Sequence, residues 1–286
     1  MLAGTSPEVL IAAVGAATSG IRVGSGGVML PHYSPLKVAE VFSVLSGLYG
    51  DRIDLAVGRA PGSDRETMIA LQRDRRQLSP DDFPEQLSEL IAYVHDRFPG
   101  PHPFARLAAL PGLPHAPALW LLGSSAQSAI WAAEAGLPYA FADFINPNGA
   151  AYAREYRASF EPSPELERPY VLVASSVVCA DTVEEAERLA SSSRMAFLRL
   201  RQGRPIPVPP VEKALAWFAG RDAAGATASA GRRLVVGEPA TVRERLLDVA
   251  AAYGADELMV VTITYDHEAR RRSYELLADA FGLQRR

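Results

Sequence analysis

From residue 7 onward the chain alternates between two kinds of segment, and that alternation restricts the fold more than any other feature. Short apolar runs read as strands at 21–30 (IRVGSGGVML), 53–58, 118–123, 138–143, 170–178 and 258–264. Helical patterns stand between them, several with clear end signals. Thr5 or Ser6 precedes Pro7 and Glu8, Pro35 opens SPLKVAEVFSVLSGLYG, and Gly50 closes it. Strands that alternate with helices predict parallel pairing with helices outside. Six such strands fit an open doubly wound sheet or most of an eight-stranded barrel, and periodicity alone leaves both open. The chain is expected to be a single domain over 1–286. Its irregular excursion at 201–236, rich in Pro and small residues, is a candidate lid over 201–232.

Composition narrows the function classes. With 29 basic and 33 acidic side chains, the net charge of -4 offers no field for nucleic acid or an anionic membrane. Arginine runs at 73–76, 270–272 and 285–286 are short and read as solvated faces. The one cysteine, Cys179, excludes an internal disulfide and a Cys-rich zinc site. It closes an apolar strand and reads as core filling. No apolar run reaches membrane-spanning length, and the first residues lack a basic leader, so a cytoplasmic location is expected.

In either fold, ligands bind beyond the carboxyl ends of the strands. That rule selects Gly26, Gly27, Pro31 and His32 after the first strand, and Gly58-Arg59 after the second. It also selects Gly123-Ser124-Ser125 with Ser128 one turn on, Asp143, Phe144 and Asn146, and Tyr265-Asp266-His267. Glycine weakens a strand, so Gly24, Gly26 and Gly27 ask what needs bare backbone there. Close approach of a flat ring is one answer, and a bulge or tight strand packing is the other. The Rossmann spacing is absent, because VGSGGVML continues as strand. Ser124, Ser125 and Ser128 open a helix whose first N–H groups lack internal partners, so the turn suits a phosphate or is a plain N-cap. Arg59 can grip an anion in bidentate fashion or make a structural salt bridge. Catalytic residues stay unassigned. His32 is the weak candidate for proton transfer, against the reading of an ordinary loop histidine. His95 is expected to be solvated on an outer helix. The histidines form no metal-ligand cluster, and no metal is expected.

Three long blocks carry a resemblance. IRVGSGGVMLPHYSPLKVAEVFSVLSGLYGDRIDLAVGRAPG, PALWLLGSSAQSAIWAAEAGLPYAFADFINP and VVGEPATVRERLLDVAAAYGADELMVVT resemble the luciferase-like monooxygenase family. The resemblance implies a (β/α)8 TIM-barrel-type fold of luciferase-like type, here incomplete with six core parallel strands. It implies that two further strand–helix units of the family pattern precede this stretch; an upstream true start is expected to account for them, with a partner or a rearrangement that covers the gap as the alternative. It implies reduced FMN, or alternatively coenzyme F420, at the barrel mouth, with a non-prolyl cis peptide at Gly26-Gly27 beneath the ring. Arg59, Gly123, Ser124, Ser125 and Ser128 match its cofactor-binding positions, the first and the serines at the phosphate. The function implied is a flavin-dependent oxidoreductase, a monooxygenase using O2 on a small organic substrate. An F420-dependent hydride-transfer enzyme and an inactive flavin-binding remnant are the alternatives. A separate flavin reductase and a homodimer are further expected partners.

Overall fold

A computed structural model describes residues 6–59, 69–71, 82–98, 100, 102–105, 107, 114–219 and 233–283. The arginine runs at 73–76 and 285–286 lie outside the described residues, as does the candidate lid from 220 onward. The chain forms two compact units. The first comprises Met1–Gly123, Gln127–Tyr139 and Ser159–Pro169; the second comprises Ser124–Ala126, Ala140–Ala158 and Tyr170–Arg286.

In the first unit, helix α1 (Pro7–Ala17) begins with Pro7, whose missing N–H costs nothing at a helix start. Arg52 finishes it, donating to the carbonyls of Gly15 (3.0 Å) and Ile21 (3.0 Å) and to the Thr18 hydroxyl (3.2 Å). Strand β1 (Val23–Met29) runs into a 3-10 turn, Leu30–His32. Helix α2 (Pro35–Tyr49) ends at Gly50, whose φ of 66° suits glycine. Strand β2 (Ile53–Gly58), helix α3 (Phe83–Val94), strand β3 (Ala118–Gly123) and helix α4 (Ala126–Glu134) follow. β1 and β2 pair in parallel from Val23↔Ile53 to Met29↔Gly58, with a register irregularity between Gly26 and Val28. β2 and β3 pair in parallel from Asp54↔Ala118 to Val57↔Leu121. Ile53, Leu55 and Val57 are buried with Leu30, Phe42, Phe83 and Leu90. Each such side chain contributes about 1.5–3 kcal/mol by leaving water. The alternate residues of β2, Asp54, Ala56 and Gly58, take the opposite face.

Strand β4 (Tyr139–Ala142) starts in the first unit, where Leu121 N–H donates to the Pro138 carbonyl at 3.0 Å. In the second unit, helix α5 (Ala150–Ala158) leads to strand β5 (Val171–Cys179), which is buried at every position, Ser175 and Ser176 included. Helix α6 (Val183–Arg201) starts at Thr182, whose hydroxyl accepts from Glu185 N–H at 3.2 Å. Helix α7 (Val211–Ala219), strand β6 (Leu234–Gly237), helix α8 (Pro239–Tyr253), strand β7 (Glu257–Val261) and helix α9 (His267–Ala280) complete it. β5 pairs in parallel with β6 at Ser176–Cys179 and with β7 at Leu172–Ser176. Phe144 N–H, just past β4, donates to the Ala174 carbonyl at 3.3 Å. Val177 and Cys179 pack with Val242, Leu246, Leu276 and Leu277 of α8 and α9, while Val178 packs with Ala186, Leu189 and Ala190 of α6.

Parallel strands, each feeding a helix, make this an incomplete (β/α) barrel of luciferase-like type, as expected. All six anticipated strands are present. β6 is an addition that straddles the end of the segment read as irregular, which also holds α7. At four residues β6 is too short to announce itself by periodicity. One expectation fails. The His95 side chain is only 13% exposed, just past α3, with Nδ1 3.6 Å from Glu165 Oε1. Burial lowers its pKa, opposed by Glu165 and aided by Arg97. The helix pattern was legible, but the segment around Glu165 that covers this face lies seventy residues away. Cys179 is core filling as expected, 1% exposed, with its thiol pushed up to about 11 by burial. Arg271 and Arg272 engage Glu268, Glu275 and Asp181 on the surface. Among the described residues, no helix is long and apolar enough to cross a membrane, and no group of three His, Cys, Asp or Glu is placed to hold a metal.

Candidate functional site

The carboxyl ends of β1, β2 and β3 point the same way in the first unit, because all three strands are parallel and in register. Arg59 and Gly123 therefore share one end of the sheet, whereas Gly26 and Gly27 lie within β1 rather than after it, because the strand continues to Met29. Gly26, Ala56 and Trp120 stand at one level across the three strands, as do Gly24, Asp54 and Ala118 one layer below.

The three glycines of β1 answer different demands. A Cβ on Gly24 would come within 2.5 Å of Asp54 Cβ and 2.6 Å of the Asp54 carbonyl oxygen. A Cβ on Gly27 would lie 2.2 Å from Leu122 Cδ1 and 2.6 Å from the Ala56 carbonyl oxygen. These two positions are bare because neighbouring chain presses on them. A Cβ on Gly26 would meet nothing within 4 Å. Gly26 thus opens onto free space. The Gly26-Gly27 peptide bond is cis, as the resemblance implies. Tight strand packing accounts for Gly24 and Gly27, and it does not account for Gly26.

The wall of that space is fixed from below. Trp120 Nε1 donates to Asp54 Oδ1 at 3.0 Å, and Arg22 grips the same carboxylate with Nε at 3.0 Å and Nη2 at 2.7 Å. A planar guanidinium meeting a carboxylate in this two-point fashion fixes geometry as well as charge. Nothing local in the sequence announced this network, because its members lie on β2, on β3 and just ahead of β1.

Arg59 leaves β2 exposed at the mouth, with Cζ 5.5 Å from the centroid of the Trp131 ring on α4. The guanidinium keeps its charge over that aromatic face. Gly123 ends β3, where a Cβ would fall 1.9 Å from Ser128 Oγ. Ser128 is buried, and its hydroxyl lies 2.9 Å from Tyr139 OH. Ser124 and Ser125 follow Gly123 directly and precede the first turn of α4, with Ser125 exposed. His32 sits half-buried in the 3-10 turn after β1. Asp266 caps α9, its carboxylate accepting from Ala269 N–H at 2.7 Å, which gives the Asp266-His267 pair a structural task.

In the second unit, Asp143 is fully buried just past β4. Tyr253 OH donates to Asp143 Oδ1 at 3.0 Å and accepts from Gly149 N–H at 3.1 Å. Arg233 Nε lies 3.6 Å from Asp143 Oδ2, and its Nη2 donates to the Pro147 carbonyl at 3.1 Å. Burial raises the Asp143 pKa, while Arg233 and the Tyr253 bond pull it back. Burial foremost, and then the Asp143 charge, raises that of Tyr253.

A model of the luciferase-like monooxygenase family matches residues 3–257. The chain belongs to the luciferase-like monooxygenase family. The uncharacterised protein YwcH of Bacillus subtilis (strain 168) is 46% identical over 283 residues, 98% of this chain and 85% of the relative. The N-acetyl-S-alkylcysteine monooxygenase of the same organism is 36% identical over 279 residues, 98% of this chain and 83% of the relative. Among solved structures, apo-MsnO8 is 44% identical with a TM-score of 0.86, covering 98% of this chain and 82% of that one.

Proposed function

We propose that this chain is a flavin-dependent monooxygenase that uses reduced FMN and O2 to oxygenate a small organic substrate. Membership of the family supports an oxidoreductase of the flavin-dependent class. FMN, oxygen and a small substrate are the finer parts of the proposal. The observation that carries it is the open space over Gly26, within β1 of the sheet whose carboxyl end bears Arg59 and Gly123.

The residues present fit such a cofactor. Gly26 leaves room for a planar ring, with Ala56 small at the same level and Trp120 and Leu122 on the neighbouring strand. Arg59 offers a guanidinium to an anionic tail. Ser124 and Ser125 stand at the start of α4, a position that suits an anion. When bound, the reduced flavin supplies the two electrons of the reaction; one oxygen atom goes to the substrate and the other leaves as water. The protein's own part is to orient the ring on bare backbone, hold the phosphate by charge and directed N–H groups, and present an apolar wall that excludes water. His32 keeps only its candidacy for proton transfer. A separate reductase to supply the reduced flavin, and a homodimer, belong to the same proposal.

The test is anaerobic titration with reduced FMN, followed by oxygen uptake with a panel of organic acceptors. Binding, with uptake coupled to an oxygenated product, supports the proposal. Preferential binding of F420, with hydride transfer and no oxygen demand, replaces it with the F420 reading. Binding with uptake at the free-flavin rate on every acceptor favours the inactive remnant.

A further inference from the structure

Strand β1 breaks the two-residue period of a strand, and Ser25 stands at the break. Leu55 and Val57 lie on one buried face of β2, and their partners across the ladder are Ser25 and Val28. Those partners are three residues apart, so they share a face only because β1 carries one extra residue, Gly27, against β2. Gly26, paired with Ala56, takes the opposite face. Ser25 and Ala56 are both buried. The Ser25 hydroxyl donates to the Ala56 carbonyl at 2.9 Å and accepts from the Ala56 N–H at 3.1 Å. One side chain thus meets both main-chain groups of the residue opposite Gly26. Buried main-chain groups need partners, and a bulge disturbs the regular ladder that supplies them. Below this step Asp54 is tied to Arg22 and Trp120, and above it Val28↔Val57 and Met29↔Gly58 resume the pairing.

We propose that Ser25 is a positioning residue for the planar ring of the flavin: its hydroxyl sets the spacing of the β1 bulge over Ala56 and so keeps the space at Gly26 open. The proposal rests on the flavin reading above. Ser25 shares its face with Val28 and not with Gly26, so it acts on the ring through Ala56 and Gly26 alone. Alanine at this position would take one acceptor from the Ala56 N–H and one donor from its carbonyl, inside a buried ladder. The two strands would then have to shift to restore the bonds. There is little slack for a shift, since a Cβ on Gly27 would already fall 2.6 Å from the Ala56 carbonyl oxygen. Any change of spacing at that point carries Gly26 with it. A seat that is fixed before the ligand arrives lowers the ordering cost of binding.

The test measures dissociation constants of reduced FMN and reduced riboflavin, anaerobically and on the full chain, for wild type and four variants. Ser25→Ala removes the hydroxyl, Ser25→Cys replaces it with a thiol that donates and accepts more weakly, and Ser25→Thr keeps it. Ser273→Ala is the control. The Ser273 hydroxyl is also buried and accepts from a strand N–H, that of Cys179 at 3.0 Å, in the second unit. Ser25→Ala should weaken both flavins about tenfold and by the same factor, because they have the ring in common. Ser25→Cys should fall between Ser25→Ala and wild type, and Ser25→Thr should bind like wild type. Ser273→Ala should lower the melting temperature as Ser25→Ala does and leave both constants unchanged. If Ser25→Ala does not fold, the contrast between Ser25→Cys and Ser25→Thr decides. Wild-type affinity in Ser25→Ala and Ser25→Cys overturns the proposal. So does a loss in Ser25→Thr as large as in the other two, or a loss confined to FMN, which would place the effect at the phosphate. An equal fall in Ser273→Ala marks Ser25 as merely structural. Wild type that binds neither flavin refutes the flavin reading itself, and this inference with it.

Discussion

Alanine at Gly26 and alanine at Gly27 should have opposite consequences, although the two residues are adjacent. At Gly27 the new methyl meets two obstacles. Leu122 Cδ1, 2.2 Å away, ends a flexible side chain and can swing aside. The Ala56 carbonyl oxygen, 2.6 Å away, is part of a paired strand and cannot move without breaking the β1–β2 ladder. Overpacking of this kind costs about 1–3 kcal/mol. At Gly26 there is no atom within 4 Å of the added methyl. Its folding cost should stay within about 0.5 kcal/mol, as at an open surface position. The methyl would, however, occupy the space assigned to the ring, and the affinity for reduced FMN should fall at least about tenfold. Urea titration followed by circular dichroism reads the first effect, and anaerobic flavin titration reads the second. If Gly26→Ala destabilises the fold as much as Gly27→Ala, or binds reduced FMN like wild type, the account of this face is wrong.

Three other outcomes follow from the described contacts. Asp54→Ala should cost about 1–2 kcal/mol, because Trp120 Nε1 loses its acceptor, whereas Asp54→Asn should stay within about 1 kcal/mol because it keeps that acceptor and Arg22 is half-exposed; equal losses in urea titration would contradict this. His95 has a lowered pKa in the fold through burial, so the stability tied to its neutral form is whole above the unfolded value of about 6.5 and is lost as pH falls through the folded value. Thermal melts of His95→Gln should accordingly depend less steeply on pH between 7 and 5, and curves parallel to wild type would count against the assignment. Cys179, buried and with its thiol pushed up to about 11, should react with a disulfide reagent at least about a hundredfold faster in urea than in the native state; equal rates would mean that the end of β5 is open.

What could be read from the sequence, and what could not, divides by distance along the chain. Strands such as Ile53–Gly58 and Ala118–Gly123 were legible to the residue, since an apolar run bounded by turn residues is a local signal. The ends of the strands were legible too, and that rule selected Arg59, Gly123, Asp143 and Asn146; Gly26, selected with them, lies inside β1. The reasons for the glycines were only half legible. Gly24 and Gly27 are bare because of Asp54, Ala56 and Leu122, whose register against β1 no local pattern specifies. Asp143 stood out as a strand-end acid, but its partners Arg233 and Tyr253 lie ninety or more residues away. The same holds for Arg22, Asp54 and Trp120, and for His95 beside Glu165. Sequence patterns report one element at a time, whereas a buried polar network is a property of several.

A crystal structure of the protein with FMN bound tests the central claim most directly. The account expects the isoalloxazine ring to lie over Gly26, on the face shared with Ala56 and flanked by Trp120 and Leu122. A ring bound elsewhere, or a side chain packed over Gly26 in its place, would contradict it.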